Sequence, residues 1–372
     1  MHNTILRQKI MAGAVFAMLA AGCGCGAALV LADYEGPFAV AANYSQLAAD
    51  GVAQLQTRYS SSSGVYGEPS GWWNAANSIT VLVNYERAVG DSSYEPVILN
   101  TFDRAPGAEG HADFLDSFYD DDGWWALAWV DAYDLTGNTA YLSMAETIFA
   151  AMAGGWDTTC GGGIWWNTSR TYKNAIANEL FLTVAAKLAN RTTGSGSAAY
   201  LTWAQEEWTW FKASGMINSK SLINDGLNST NPNACTNNGA TTWTYNQGVI
   251  LDGLVELYTA DKDATLLPQA QAIAAAAIAD LAKNGILVET GVGGGDAPQF
   301  KGIFMRNLMY LNTAAPNAQY KTFIDANANS IWANDTGIDY EFGGLWQGPF
   351  DSADATRQTS ALDAIIAAVA AQ

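Results

Sequence analysis

From residue 43 onward one pattern recurs along the chain: an apolar helix led by aromatics or Asn, a short loop of Gly, Asn or Asp, then a second helix that often opens with Tyr and Leu. The clearest copies begin at Trp72, Trp124, Asn174, Trp243 and Phe300. A period of about 50 to 70 residues suits one helical hairpin per repeat. In the second copy Trp124 to Leu135 is apolar nearly all round, whereas Tyr141 to Met152 is amphipathic with Glu146 on its polar side. The first reads as a buried inner helix and the second as an outer one.

Loops such as Gly90-Asp91, Gly137-Asn138 and Asp261-Lys262-Asp263 are short enough to make each helix pair antiparallel. The spacing predicts twelve helices, over 43–59, 72–89, 92–104, 122–136, 138–153, 172–191, 198–213, 243–259, 263–284, 301–313, 317–333 and 354–371. Continuous strand-period alternation is rare. The first and last helices have no partner of their own in sequence, and pairing them with each other closes a ring of six hairpins. The expectation is an all-α (α/α)6 toroid around a central cavity, with an open solenoid as the competing arrangement.

The N-terminus reads as a targeting segment. Arg7 and Lys9 precede an apolar run from Ile10 to about Leu31, the layout of a secretory signal peptide over residues 1–32, with cleavage between Ala21 and Ala32. The competing reading is a membrane anchor, against which Gly22, Cys23, Gly24, Cys25 and Gly26 interrupt the run. The expectation is therefore a secreted chain with no stable membrane insertion and a catalytic domain over 33–372. Removing the leader takes Cys23 and Cys25 with it. Cys160 and Cys235 then remain as an even pair, which in an exported protein suggests a disulfide, with two free thiols as the alternative. Sequons at Asn43, Asn167, Asn190, Asn228 and Asn334 are consistent with glycosylation on export.

Charge and histidine content narrow the chemistry. With 36 acidic against 17 basic residues and a net charge of -19, the chain lacks the cationic stripe that neutralises phosphates, which excludes nucleic acid as a partner. With histidine confined to His2 and His111, a His-based metal cage, a Ser-His-Asp triad and a Cys-His pair all lack parts. No His-based metal site is expected, and carboxylates carry any acid–base work.

Gly71-Trp72-Trp73-Asn74, Gly123-Trp124-Trp125, Gly161-Gly162-Gly163-Ile164-Trp165-Trp166 and Thr242-Trp243-Thr244-Tyr245-Asn246-Gln247 stand at equivalent places in the repeats. Aromatic faces stack on the apolar faces of sugar rings, and amides and carboxylates bond their hydroxyls. A single Trp pair is ordinarily core, but four in register make a ligand groove an equal reading. Trp73, Asn77, Asp122, Trp124, Trp125, Trp166, Tyr245, Asn246 and Gln247 are the substrate-binding candidates.

Phe118-Tyr119-Asp120-Asp121-Asp122-Gly123-Trp124-Trp125 opens the most apolar inner helix. Carboxylates at a helix N-terminus favour its dipole and cap free N–H groups, which is the structural explanation of the triplet. Capping needs only one acid, and like charges side by side repel. Glycoside hydrolysis needs two carboxyl groups, about 5–5.5 Å apart for retention and about 6.5–9.5 Å for inversion. Residues i and i+2 of a helix point about 200° apart, so a consecutive pair is preferred and retaining chemistry follows. Glu179, Asp225, Asp252, Glu256 and Asp296 could also reach a groove, although each reads first as a solvated or capping acid.

The run Tyr119-Asp120-Asp121-Asp122-Gly123-Trp124-Trp125-Ala126-Leu127-Ala128-Trp129 resembles the signature of glycoside hydrolase family 76, the endo-α-1,6-mannanases. The resemblance extends through Thr158 to Trp166, Asn174 to Leu180, Trp243 to Gly248 and Phe300 to Phe304, and covers nearly all the chain beyond the leader. It implies an (α/α)6 fold, retaining hydrolysis of α-1,6-mannosidic bonds in mannan, and no cofactor. Carried onto the matching positions, Asp120 is the nucleophile and Asp121 the general acid/base. The third acid leaves the pair Asp121 and Asp122 as a fallback. The chain departs from its relatives between Val288 and Pro298, where they often carry another cysteine pair and this sequence is Gly-rich. Competing functions are a cell-wall transglycosidase acting on mannose-containing anchor glycans, a non-catalytic mannan-binding protein and, remotely, a terpene cyclase, whose metal-binding motif would need an acid where Trp124 stands.

Overall fold

The computed structural model describes residues 43–67, 70–228, 231 and 234–372, and the segment read as a leader lies outside the described residues, as do Cys23 and Cys25. Among the described residues there are twelve α-helices. The even-numbered ones form the inner ring: α2 (Trp72–Val89), α4 (Tyr119–Thr136), α6 (Ala175–Arg191), α8 (Thr244–Asp261), α10 (Ala297–Ala314) and α12 (Ala355–Ala370). Each packs on the next, and α12 packs back on α2. The odd-numbered ones lie outside: α1 (Tyr44–Gln56), α3 (Glu95–Glu109), α5 (Thr139–Ala153), α7 (Gly194–Ala213), α9 (Leu266–Leu281) and α11 (Ala318–Asn334). The first helix packs on the last, closing the (α/α)6 toroid expected from the repeats.

The inner helices are apolar on most sides because each touches two inner neighbours as well as the outer layer. Of α4, every residue from Asp122 to Ala132 is buried. Close approach is built in with small residues: a Cβ at Gly302 of α10 would lie 2.5 Å from Ser360 Cα of α12. The Gly302 N–H instead donates to Ser360 Oγ at 3.0 Å.

Two short hairpins were not anticipated. Strands β1 (Tyr59–Ser60) and β2 (Val65–Tyr66) follow α1, and β3 (Ala282–Lys283) with β4 (Ile286–Leu287) truncates the helix expected to run to residue 284. In the second, Asn284 and Gly285 both have positive φ, the turn that an Asn-Gly pair favours. Conversely α10 begins four residues before its expected start, because Pro298 sits where a helix N-terminus tolerates proline.

A recurrent polar clamp ties each of several inner helices to the extended segment ahead of it. Asn178, the fourth residue of α6, accepts from Ile164 N at 2.7 Å and donates to Ile164 O at 3.0 Å. Gln247, fourth in α8, makes the same pair with Ile223. Gln358, fourth in α12, accepts from Phe342 N and donates to Tyr340 O. In α4 the fourth residue is Asp122, whose Oδ1 accepts from Asp116 N at 2.9 Å.

Toward the C-terminal end of the inner ring the interior is filled by ion pairs. Buried Lys187 lies 3.0 Å from Asp131 and 3.1 Å from Asp252, and Arg306 lies 3.1 Å from Asp363. The aromatic and acidic motifs all sit at the opposite end, where the inner helices begin. Among the described residues no helix is long and apolar enough to cross a membrane.

Candidate active site

The acidic run folds as the first turn of α4, three residues earlier than expected. Its N-cap Phe118 supplies no side-chain cap, so the backbone is held instead by the segment ahead of α6: Tyr119 N donates to Trp166 O at 2.9 Å. That segment is shaped by the turn at Gly161–Gly163. Gly163 has φ of 79°, and a Cβ there would fall inside the Trp210 ring, 2.3 Å from its nearest atom. The adjoining disulfide, Cys160 to Cys235, fastens the same turn, as expected from the even cysteine pair.

A pocket of about 360 Å³ opens at this end of the ring and is lined by both Asp120 and Asp121. Trp166, Phe118, Trp73, Trp124, Tyr245 and Phe300 give the pocket an aromatic lining. Tyr245 stacks on Phe300 with ring centroids 3.9 Å apart, and Trp73 stacks on Trp124 at 5.7 Å. Such faces suit the apolar sides of pyranose rings.

The two carboxyl groups sit in different surroundings. Asp120 Oδ2 accepts the Trp166 indole N–H at 3.0 Å, and Oδ1 is buried. Burial pushes Asp120 up to about 7, against the pull of that indole and of the backbone donors of the turn. Asp121 is pushed well above the carboxylate range by burial, by the charge of Asp120 and by Asp116, whose carboxyl it hydrogen-bonds. A donor on Asp120 and a second acid on Asp121 make Asp120 the group that ionises first. Asp116 was not read from the sequence. It faces the pair from the preceding loop, where its Oδ1 accepts from Phe118 N.

The structure brings Asp120, Asp121, Trp73, Trp124, Trp166 and Tyr245 to one pocket and separates the other candidates from it. Asp122, a substrate-binding candidate and a member of the fallback pair, is 2 % exposed, lies outside the pocket lining and serves as the clamp of its repeat. Burial pushes it up to about 8, and it stands where other repeats use an amide. Trp125, a substrate-binding candidate, is fully buried among Trp72, Phe114 and Trp129 and belongs to the core. Asn77 faces the interior, accepting from Arg306 at 2.7 Å. Gln247 is the clamp of α8, and Asn246 is fully buried.

Some contributors were undervalued. Gly71, Trp72, Phe118 and Phe300 line the pocket although only their strings were noted, and Asp296, read as a solvated acid, lines it too. Of the other doubtful acids, Asp252 and Glu256 belong to the ion-pair lattice, and Asp225 accepts from Tyr172 and Trp243. His111 packs on the Trp72 ring at 4.5 Å.

Among relatives of known name, the chain is 29% identical over 220 residues to mannan endo-1,6-alpha-mannosidase DCW1 of Candida albicans, covering 54% of this chain and 48% of that one. It is 30% identical over 253 residues to DFG5 of the same organism, covering 63% and 55%. The chain thus spans about half the length of the curated relatives it matches. Among solved structures, an inactive variant of the alpha-1,6-mannanase GH76A of Salegentibacter sp. HEL1_6, in complex with alpha-1,6-mannotriose, superposes with a TM-score of 0.79 at 23% identity, covering 89% of this chain and 100% of that one. Dfg5 from Chaetomium thermophilum, in complex with glucosamine, gives 0.77 at 21%, covering 88% and 90%. The same toroid is therefore shared at low identity. The model of glycosyl hydrolase family 76 matches residues 41–372, the whole of the ring that carries the acid pair, and the chain belongs to that family.

Proposed function

We propose that this protein is a secreted retaining endo-glycosidase that hydrolyses α-1,6-mannosidic linkages in mannan, with Asp120 as nucleophile and Asp121 as general acid/base. The observation that carries the reading is the juxtaposition of two consecutive carboxyl groups in one aromatic-walled pocket, only the first of them gripped by an indole donor. The names of the curated relatives support the linkage, and the mannotriose bound by a structural relative supports the substrate class.

In this mechanism the ionised carboxylate of Asp120 attacks the anomeric carbon as the glycosidic bond breaks, and Asp121 gives its proton to the departing oxygen. A covalent glycosyl ester on Asp120 and a shortened mannan result. Asp121, now a carboxylate, takes a proton from water as that water attacks the same carbon, which releases the sugar and restores both groups. Each role needs a different protonation state. The donor from Trp166 favours charge on Asp120, and Asp116 favours the proton on Asp121.

The test is release of reducing ends from linear α-1,6-mannan, with product sizing. The wild-type protein should give internal-cleavage products, and Asp120→Asn and Asp121→Asn should each lower turnover at least a hundredfold with an unchanged helical spectrum. Near-normal activity in both variants would refute the assignment. Binding of mannan with no release of reducing ends would favour a non-catalytic binding protein. An added acceptor saccharide separates hydrolysis from transfer to another glycan.

A further inference from the structure

The segment from Glu289 to Asp296 leads into α10, reaches the pocket lining at Asp296 and is tied down at three points. Glu289 accepts from Thr244 N and Oγ1 at the start of α8, at 2.8 and 2.7 Å. Val292 O accepts from Arg357 Nη2 of α12 at 2.7 Å. Asp296 Oδ1 accepts from the Trp73 indole of α2 at 3.0 Å. The strap is thus anchored to three inner helices.

Its last residue is unusual for its place. Asp296 is the N-cap of α10, a position where an Asp side chain ordinarily bonds the free N–H groups of the first turn. Here it makes no such bond, and only its backbone carbonyl receives Gln299 N. The exposed carboxylate is turned to Trp73 and to the pocket, which it lines. Since α10 stands three places from α4 around a ring of six, Asp296 faces Asp120 and Asp121 from across the site. With Oδ1 on the indole, Oδ2 has no hydrogen-bond partner among the described residues. The Trp73 ring beside it lies between Trp124 and Phe300, at 5.7 and 6.2 Å.

We propose that Asp296 is a specificity-determining residue, a carboxylate that accepts hydrogen bonds from adjacent hydroxyls of the saccharide unit resting on Trp73. An aromatic face with an acceptor fixed at its edge reads both sides of a pyranose: the ring takes the C–H face and the carboxylate takes the hydroxyls. The indole bond sets the carboxylate's position before substrate arrives, so little ordering is needed on binding. This assignment rests on the saccharide reading of the pocket but not on hydrolysis.

The test compares Asp296→Ala and Asp296→Asn with the wild type, each also in a Trp73→Phe background that removes the indole N–H. Affinity for α-1,6-mannotetraose is measured by calorimetry in an Asp120→Asn/Asp121→Asn chain, which binds without turnover, and KM and kcat are measured in the active chain. Asp296→Ala should weaken binding and raise KM at least tenfold in both backgrounds while kcat stays within threefold, and Asp296→Asn, which keeps an acceptor, should lose less. A change below twofold, or one that vanishes in the Trp73→Phe background, would overturn the assignment, the latter by showing that Asp296 only supports the ring. An active-site chain that binds mannotetraose while the wild type releases no product contradicts the proposed hydrolysis and leaves the Asp296 comparison intact.

Discussion

Trp166 donates its indole N–H to Asp120 Oδ2 at 3.0 Å, whereas Asp121, the next residue, faces the carboxyl of Asp116. One helical turn therefore holds two like side chains in opposed electrostatic settings, and that difference divides their roles. A hydrogen bond to an ionised group is worth about 1.5–3 kcal/mol, or about 1–2 pKa units.

Trp166→Phe keeps the wall of the pocket and removes that donor. Because the indole favours the charged form, its loss raises the pKa of Asp120 from about 7, and the acidic limb of the kcat/KM profile should move up by about 1 pH unit. Turnover near pH 6 should fall more than turnover near pH 8. An unmoved acidic limb would show that Asp120 does not need this donor.

Asp116→Asn tests the other half. A negative charge beside Asp121 holds its proton, so neutralising Asp116 lowers the pKa of Asp121 and should move the basic limb of the profile down. The acidic limb should follow slightly in the same direction, since Asp116 also raises Asp120. A fixed basic limb would leave Asp116 as a loop residue only.

Asp122→Asn separates the clamp from the chemistry. Folding raises this acid to about 8, so its contribution to stability is complete below the unfolded pKa near 3.8 and is lost as pH rises through about 8. The amide keeps an acceptor for Asp116 N and needs no proton. The variant should stay active and, at pH 7, melt higher than the wild type by at least about 2 °C, on the scale of about 2–4 °C per kcal/mol. Loss of activity comparable to that of Asp120→Asn would return Asp122 to the catalytic pair.

Lys187→Met leaves Asp131 and Asp252 buried without their shared cation. Removing one partner of a buried pair costs about 3–5 kcal/mol, and chemical denaturation should show a loss of that order. A loss under about 1 kcal/mol would mean that the lattice at the far end of the ring is dispensable.

Much of this was legible before the structure. The expected helix over 72–89 coincides with α2, and the ring closes through the first and last helices as the unpaired ends required. What periodicity could not supply was phase. Neighbouring residues on a helix point about 100° apart, so of Trp124 and Trp125 one lines the pocket and the other enters the core. The same step separates Asp121 from Asp122. The clamp role of Asp122 becomes visible only beside Asn178, Gln247 and Gln358, whose partners come from segments with no periodic signal. Asp296 was undervalued because an acid at the end of a Gly-rich stretch, ahead of a helix expected only from residue 301, reads first as solvated or capping, whereas in the fold it caps nothing and accepts from the Trp73 indole.

The central claim, that Asp120 and Asp121 work by double displacement at one sugar carbon, is tested most directly by proton NMR of the first product released from an α-1,6-mannooligosaccharide. The account predicts that the new reducing end appears first as the α anomer and only later equilibrates with β. First appearance of the β anomer would mean single displacement by water and would contradict a nucleophilic Asp120.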